Sequence, residues 1–249
     1  MDPVIPDGVD SLERIVPTQL AGDDVTGRAT LALHLERYAW AVAHVPRGLT
    51  LDLACGVGYG SVMLATRDAD SFVVAADIAA SALDEARRSY RHARVAHVRG
   101  DGAGWSRPGR FAAIVSLETV EHVDDPRGLL RDFARLLRED GVLVTSVPVT
   151  PSVDANPHHR TDFTEASLLA LGRAVGLEPV AMLRQVQPYS LIAVVSRTER
   201  RTRDLRPSLL QYYLRHPTAA WRRVWSTLRH GFTNHYLTVA WTRRGPHSP

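Results

Sequence analysis

The chain of 249 residues has no lysine, a single cysteine and no long apolar run. One thiol, Cys55, excludes an internal disulfide framework and agrees with a reducing compartment. Its apolar runs break well short of the ~20 residues that a membrane-spanning helix needs. The opening stretch MDPVIPDGVDSLE is acidic and polar, the opposite of a secretory signal. Neither an internal repeat nor a low-complexity segment is present. A cytoplasmic globular protein without a membrane span is the expectation, in keeping with 45% hydrophobic and 23% charged residues.

Without lysine, all 30 basic residues are arginine, which together with abundant alanine reflects a GC-rich genome more than a function. Their placement carries more information. Residues 197–249 hold 11 Arg against Glu199 and Asp204, a balance of +9, so a net charge of +3 leaves −6 for residues 1–196. A basic tail on an acidic body has nucleic acid, an acidic substrate, a membrane surface or its own body open to it. Packing in a homodimer is a further use for it.

Residues 1–26 read as an irregular arm. Leu31, Leu35, Tyr38 and Val42 then give a helical stripe over about 27–45, stopped by Pro46 and Gly48. Strands follow near 49–54, 71–76, 93–98, 111–117 and 142–147, with helices near 61–66, 79–91, 126–138 and 164–175. Asp125 is placed to cap the helix that Pro126 opens, and Gly141 to stop it. Further strands are expected near 178–186 and 191–196. The apolar run 236–241 is a rival for the last strand, with 187–234 then an insertion. Continuous apolar strands alternating with helices predict an α/β domain: a mostly parallel sheet covered on both faces. The expected division is a domain over 1–197 and an Arg-rich extension, 198–249, packing on it as a C-terminal cap.

LDLACGVGYGS, residues 51–61, combines a strand, a glycine turn and a helix start. Gly56, Gly58 and Gly60 let backbone approach a ligand, beside the free N–H groups of the helix N-terminus. Such a pattern alone could equally cradle a dinucleotide, as in a nicotinamide-dependent oxidoreductase. Three carboxylates narrow the choice. Asp77 ends the second strand, where it can accept from two ribose hydroxyls. Asp101 follows the third, within reach of an adenine amino group, and Asp52 can face an α-amino group.

Together, Asp52-x-Ala-Cys-Gly-x-Gly-Tyr-Gly, Asp77, Gly100-Asp101 and SLETVEH resemble the ordered motifs of class I S-adenosylmethionine-dependent methyltransferases. The resemblance covers roughly residues 30–197. It implies a Rossmann-like, seven-stranded sheet with one antiparallel strand and S-adenosylmethionine across the strand ends. Asp52, Ala54, Gly56, Gly58, Asp77, Ile78, Asp101 and Gly102 would hold the donor, and Arg37 and Tyr38 its methionine carboxylate.

Glu118, Glu121 and His122 stand at i, i+3 and i+4, one face of a helix if that segment is helical. The Glu-x-x-Glu-His pattern resembles the metal site of small-RNA 2′-O-methyltransferases and of ubiquinone-pathway O-methyltransferases. ANPHHRTDF, residues 155–163, resembles a segment of bacterial sugar methyltransferases and adds His158 and His159, His159 being the matching position. A Mg²⁺ ion on Glu118, Glu121, His122 and His159 or His158 would activate a hydroxyl, with Glu118, His122 and His159 as catalytic groups. The implied reaction is O-methylation of a sugar or polysaccharide hydroxyl, with enzymes of the mycobacterial methylmannose polysaccharide as one candidate class. RNA 2′-O-methylation and metal-free methylation of small natural products are the alternatives.

Overall fold

A computed structural model describes residues 14–20, 25–101, 108–196, 205–206 and 208–244. Seven strands, β1 Leu49–Leu53, β2 Phe72–Asp77, β3 Val95–Arg99, β4 Phe111–Leu117, β5 Leu137–Pro148, β6 Leu177–Pro188 and β7 Thr233–Arg243, form one sheet in the order β3-β2-β1-β4-β5-β7-β6. Only β7 runs antiparallel to its neighbours, between β5 and β6. Strand order reverses between β1 and β4. The connections leaving β1 and β4 turn to opposite faces of the sheet there, which opens a crevice at the carboxyl ends of the strands, where ligands bind in open α/β sheets.

Helices cover both faces, as the continuous apolar strands predict. On one face, α1 Val25–His44 and α2 Tyr59–Thr66 bring Tyr38, Ala41 and Leu64 onto Val73, Val115 and Val144. On the other, α4 Pro126–Leu136 and α5 Glu165–Arg173 bring Leu130, Phe133 and Leu168 onto Leu51, Ile114 and Leu143. Helix α3 Ala80–Ser89 buries Leu83 against Ala75 of β2. Asp125 caps α4 as expected, its carboxylate accepting from Gly128 N at 2.8 Å. The helix ends at Leu136, two residues before Arg138, and Gly141 lies inside β5, where the pairing with β4 shifts register.

The last strand is not at 191–196. That stretch is a short helix, α6 Leu191–Ser196, followed by α7 Leu209–Arg215 and α8 Pro217–His230. The seventh strand comes from Thr233–Arg243, inside the segment expected to be a cap. Trp241 explains why. Its fully buried indole donates to Thr145 Oγ1 of β5 at 2.9 Å and packs on Gly172 of α5, where an added Cβ would lie 2.4 Å from the ring. Residues 189–232 are thus an insertion between two paired strands.

Candidate active site at the strand ends

The crevice is flanked by two left-handed residues that are not glycine, Ala54 after β1 (φ 60°) and Glu118 after β4 (φ 49°). Such backbone costs free energy of order 1–3 kcal/mol and concentrates at functional sites. On the β1 side, Gly56 (φ 57°) has no atom within 4 Å of the position a Cβ would take. A ligand can therefore approach this loop on its backbone. Gly58 (φ 90°) is restricted for a different reason, since a Cβ there would meet Ala86 Cβ at 2.9 Å.

Asp77 holds the loop in shape: Oδ2 accepts from Gly56 N and Oδ1 from Ala79 N, each at 2.9 Å. Arg14 Nη2 lies 3.7 Å from the same carboxylate, so the N-terminal arm reaches the pocket. Ile78, next along, leaves 48% of its surface exposed, an apolar platform at the mouth. Asp101 lines a cavity of about 280 Å³ with Val123, Leu129 and Phe133. Gly102 lies outside the described residues.

Asp52 is fully buried and accepts from Ser61 Oγ at 2.5 Å and from Tyr38 Oη at 3.1 Å. Burial pushes its carboxyl up to about 7, against the two hydrogen bonds and with the charge of Asp77. Tyr38 therefore braces Asp52 rather than lining the crevice. Its ring sits where a Cβ on Gly60 would go, within 2.0–2.2 Å. Arg37 is also buried: Nε donates to Gln185 Oε1 at 2.7 Å, and the guanidinium lies 4.4 Å above the Tyr236 ring. Its Nη1 makes no hydrogen bond and lies 3.3 Å from Glu118 Oε1. A buried guanidinium with an unused donor fits a carboxylate of the donor molecule.

Beyond Glu118 the chain makes one tight turn, Val120–His122, and not an α-helix. The left-handed backbone sends Glu118 away from Glu121 and His122. Its carboxylate instead accepts from Ser146 Oγ at 2.8 Å and faces Arg37. Glu121, His122 and His159 do converge, with one ligand atom from each within 4.8 Å of the others. The loop after β5 is fastened to that turn by Arg160 N and Thr161 N, both donating to Glu121 O, at 2.8 and 3.2 Å. The His122 and His159 rings meet edge to face at 4.6 Å.

Both imidazoles are oriented by an outer partner. His122 Nδ1 is 3.3 Å from His158 O, and His159 Nδ1 is 2.7 Å from Ser152 Oγ. The carbonyl partner makes His122 Nδ1 the donor and leaves Nε2 as its lone-pair nitrogen, the usual arrangement of metal-ligating histidine, and the Ser152 hydroxyl accommodates the same tautomer in His159. Burial, with His122 and His158 nearby, pushes His159 down to about 3. It is a weak proton acceptor, and its lone pair stays free for a ligand at neutral pH. Glu118 and His158 stand outside the triangle, the first because Ser146 and Arg37 hold it, the second because it contributes its carbonyl while its side chain is exposed. Ser61, Ser146, Ser152 and Gln185 complete the two half-sites. No spacing signal marks the last three, and Ser61 is visible only as the residue closing the glycine motif.

Residues 50–141 match the family described as "Methyltransferase domain". The ubiquinone biosynthesis O-methyltransferase of Neisseria meningitidis serogroup A is 30% identical over 112 residues, 43% of this chain and 44% of that protein. A Mycobacterium tuberculosis protein named "Probable S-adenosylmethionine-dependent methyltransferase" is 30% identical over 139 residues, 53% of this chain and 49% of its own. The chain spans about half the length of these curated relatives. Among solved structures, geranyl diphosphate C-methyltransferase from Streptomyces coelicolor, in complex with Mg²⁺, geranyl diphosphate and S-adenosyl-L-homocysteine, has a TM-score of 0.59 at 18% identity, covering 90% of this chain and 86% of that one. Residues 50–141 thus resemble the methyltransferase domain family, and the chain has the Rossmann-like fold of class I methyltransferase structures.

Proposed function

We propose that the chain is an S-adenosylmethionine-dependent O-methyltransferase, with a sugar or polysaccharide hydroxyl as acceptor and a divalent cation on Glu121, His122 and His159. The convergence of these three residues beside the glycine-loop crevice carries the reading. The name of the Neisseria relative supports transfer to oxygen. Two imidazoles and one carboxylate form a donor set that suits Mn²⁺, Fe²⁺, Co²⁺ or Zn²⁺ better than Mg²⁺, which prefers oxygen ligands.

The reaction is an in-line displacement. The acceptor oxygen bonds to the methyl carbon, the carbon–sulfur bond breaks toward sulfur, and the hydroxyl proton is released. A cation held by the triad would lower the pKa of an acceptor hydroxyl and fix its position. The remaining work is alignment. Arg37 and Asp52 would hold the two charged ends of the donor's amino-acid moiety, and the Gly56 backbone and Ile78 would receive its nucleoside. Glu118, held by Ser146, keeps Arg37 oriented.

The decisive experiment is turnover of a panel of sugar, RNA and phenolic acceptors, read as S-adenosylhomocysteine, after chelation and after return of Mg²⁺, Mn²⁺ or Zn²⁺. Sugar methylation restored best by Mn²⁺ or Zn²⁺ is expected. Activity unchanged by exhaustive chelation would remove the metal from the mechanism.

A further inference from the structure

Helix α8 turns its apolar side away from the protein. Trp221, Val224, Trp225 and Leu228 recur at i, i+3, i+4 and i+7, so they share one face. They are 69%, 50%, 59% and 77% exposed. The opposite face is the anchored one: Ala219 is buried, and Arg223 reaches inward to Asp154 and Pro151 O. A surface helix ordinarily buries its apolar stripe and exposes its charges. Two indoles and two aliphatic side chains in one exposed row mark a contact surface, unlike singly scattered apolar residues.

What covers the row is indicated by charge. After Asp204 the sequence holds seven arginines and no acidic residue. At 100° per residue, Arg222 and Arg229 fall on the same flank of the apolar row, and both are exposed. Tryptophan and leucine between arginines is the composition of a helix lying in the plane of a membrane interface. A second copy is a poor fit, because two-fold pairing through this face would oppose arginines with no carboxylate on α8 to offset them, Asp162 of the neighbouring loop reaching Arg222 at 3.5 Å but not Arg229. Spanning the bilayer is not at issue: no helix among the described residues is long and apolar enough.

We propose that α8 docks the protein on an anionic lipid bilayer, with Trp221, Trp225 and Leu228 entering the headgroup–acyl boundary and Arg222 and Arg229 beside lipid phosphates. Asp154, the anchor of Arg223, lies in the loop that carries His159. Docking through α8 therefore brings the acceptor side of the crevice close to the lipid plane. The inference rests on an exposed face and its charge, and stands apart from the choice of acceptor.

The test is flotation of the full chain with vesicles of phosphatidylglycerol and phosphatidylcholine in equal parts, against phosphatidylcholine alone. The protein should float with the anionic vesicles, show blue-shifted tryptophan emission quenched by brominated acyl chains, and release as salt rises. The double variant W221S/W225S should bind about tenfold less or weaker. R222Q/R229Q should lose the preference for anionic lipid. Circular dichroism and donor binding should be unchanged in both. Absence of flotation with anionic vesicles at low salt overturns the proposal, as does equal flotation of folded W221S/W225S. A concentration-dependent dimer that the tryptophan changes abolish, without flotation, would assign the face to a second copy instead.

Discussion

Arg223 and Asp154 form a two-pronged ion pair, Nε to Oδ2 at 2.7 Å and Nη2 to Oδ1 at 2.6 Å. Tyr213 Oη adds a third donor to the same carboxylate at 2.7 Å. The pair fastens the α7–α8 insertion to the loop that presents His159. Asp154 is almost wholly buried, so removing its cation leaves a charge in a site that water cannot reach. Arg223→Ala is expected to cost about 3–5 kcal/mol, the range for breaking a buried pair. Denaturant unfolding measures this, and D154N/R223A should recover part of the loss. Full additivity of the two single changes would show that the pair does not act as a unit.

The same pair sets an acid limit. Burial works to raise the Asp154 carboxyl, but the hydrogen bonds and charge of Arg223, helped by Tyr213, hold it below the ordinary carboxylate range. A depressed folded pKa stabilises the protein above the unfolded value, and this contribution is lost as pH falls through the folded value. Wild type should therefore lose more stability than Asp154→Asn on acidification below about pH 4. Parallel melting curves of the two proteins would remove Asp154 from the acid response.

Asp52 behaves in the opposite sense. Its carboxyl is raised from 3.8 to about 7 by burial, so between those values the folded protein keeps a proton that the unfolded chain gives up. Stability then falls as pH rises across that window, by at most about 4 kcal/mol. Asp52→Asn lacks this penalty. The melting temperature of the variant relative to wild type should climb from pH 4.5 to pH 8, while affinity for S-adenosylmethionine drops. A constant difference across that range would mean that Asp52 ionises normally in the folded protein.

What could be read in the sequence follows from which contacts are local. The glycine turn, Asp77 at the end of β2, Asp101 after β3 and the Asp125 cap depend on residues within a few positions, and each stands where the order of strands and helices puts it. The run LIAVVS at 191–196 has a strand's composition but folds as helix α6, because five apolar residues and a serine carry no period that separates the two. Thr233–Arg243 takes the strand position, as the rival reading of the apolar run 236–241 has it, but the Trp241–Thr145 contact that decides between the two candidates lies across 96 residues. Arg37 and Gln185 are 148 residues apart and equally silent. Within the site, the spacing of Glu118, Glu121 and His122 points to one helical face, and that geometry does not form. A helical face joins all three, whereas a left-handed Glu118 followed by one tight turn separates the first from the others.

Gly60 tests how far the donor pocket depends on packing beneath it. A Cβ on Gly60 would lie within 2.0–2.2 Å of the Tyr38 ring, so Gly60→Ala must displace the tyrosine and with it the hydrogen bond to Asp52. Overpacking of this kind costs about 1–3 kcal/mol. Donor affinity should fall along with the melting temperature. Tyr38→Phe, which removes the hydroxyl and keeps the ring, should lower affinity with a smaller loss of stability. Equal losses in the two variants would place the whole effect in the hydrogen bond.

Glu118 and His159 can be separated by a crossed experiment. Glu118 touches Ser146 and Arg37, on the donor side, and His159 belongs to the triad on the acceptor side. With Gln at 118 the charge facing Arg37 Nη1 is gone, and a guanidinium held by Gln185 and Tyr236 loses its third constraint. Donor affinity should fall by about tenfold, the scale of one charged hydrogen bond. Metal content by elemental analysis, after loading with Mn²⁺ or Zn²⁺, should not change. His159→Ala should give the reverse, loss of metal with donor affinity kept, and both variants should lose turnover. If Glu118→Gln loses metal to the same degree as His159→Ala, Glu118 swings into the cation site when it is loaded, and the four-ligand set expected from the sequence is restored. If instead neither variant changes metal content, the triad is a hydrogen-bonded charge cluster, and activation of the acceptor falls to His122 alone.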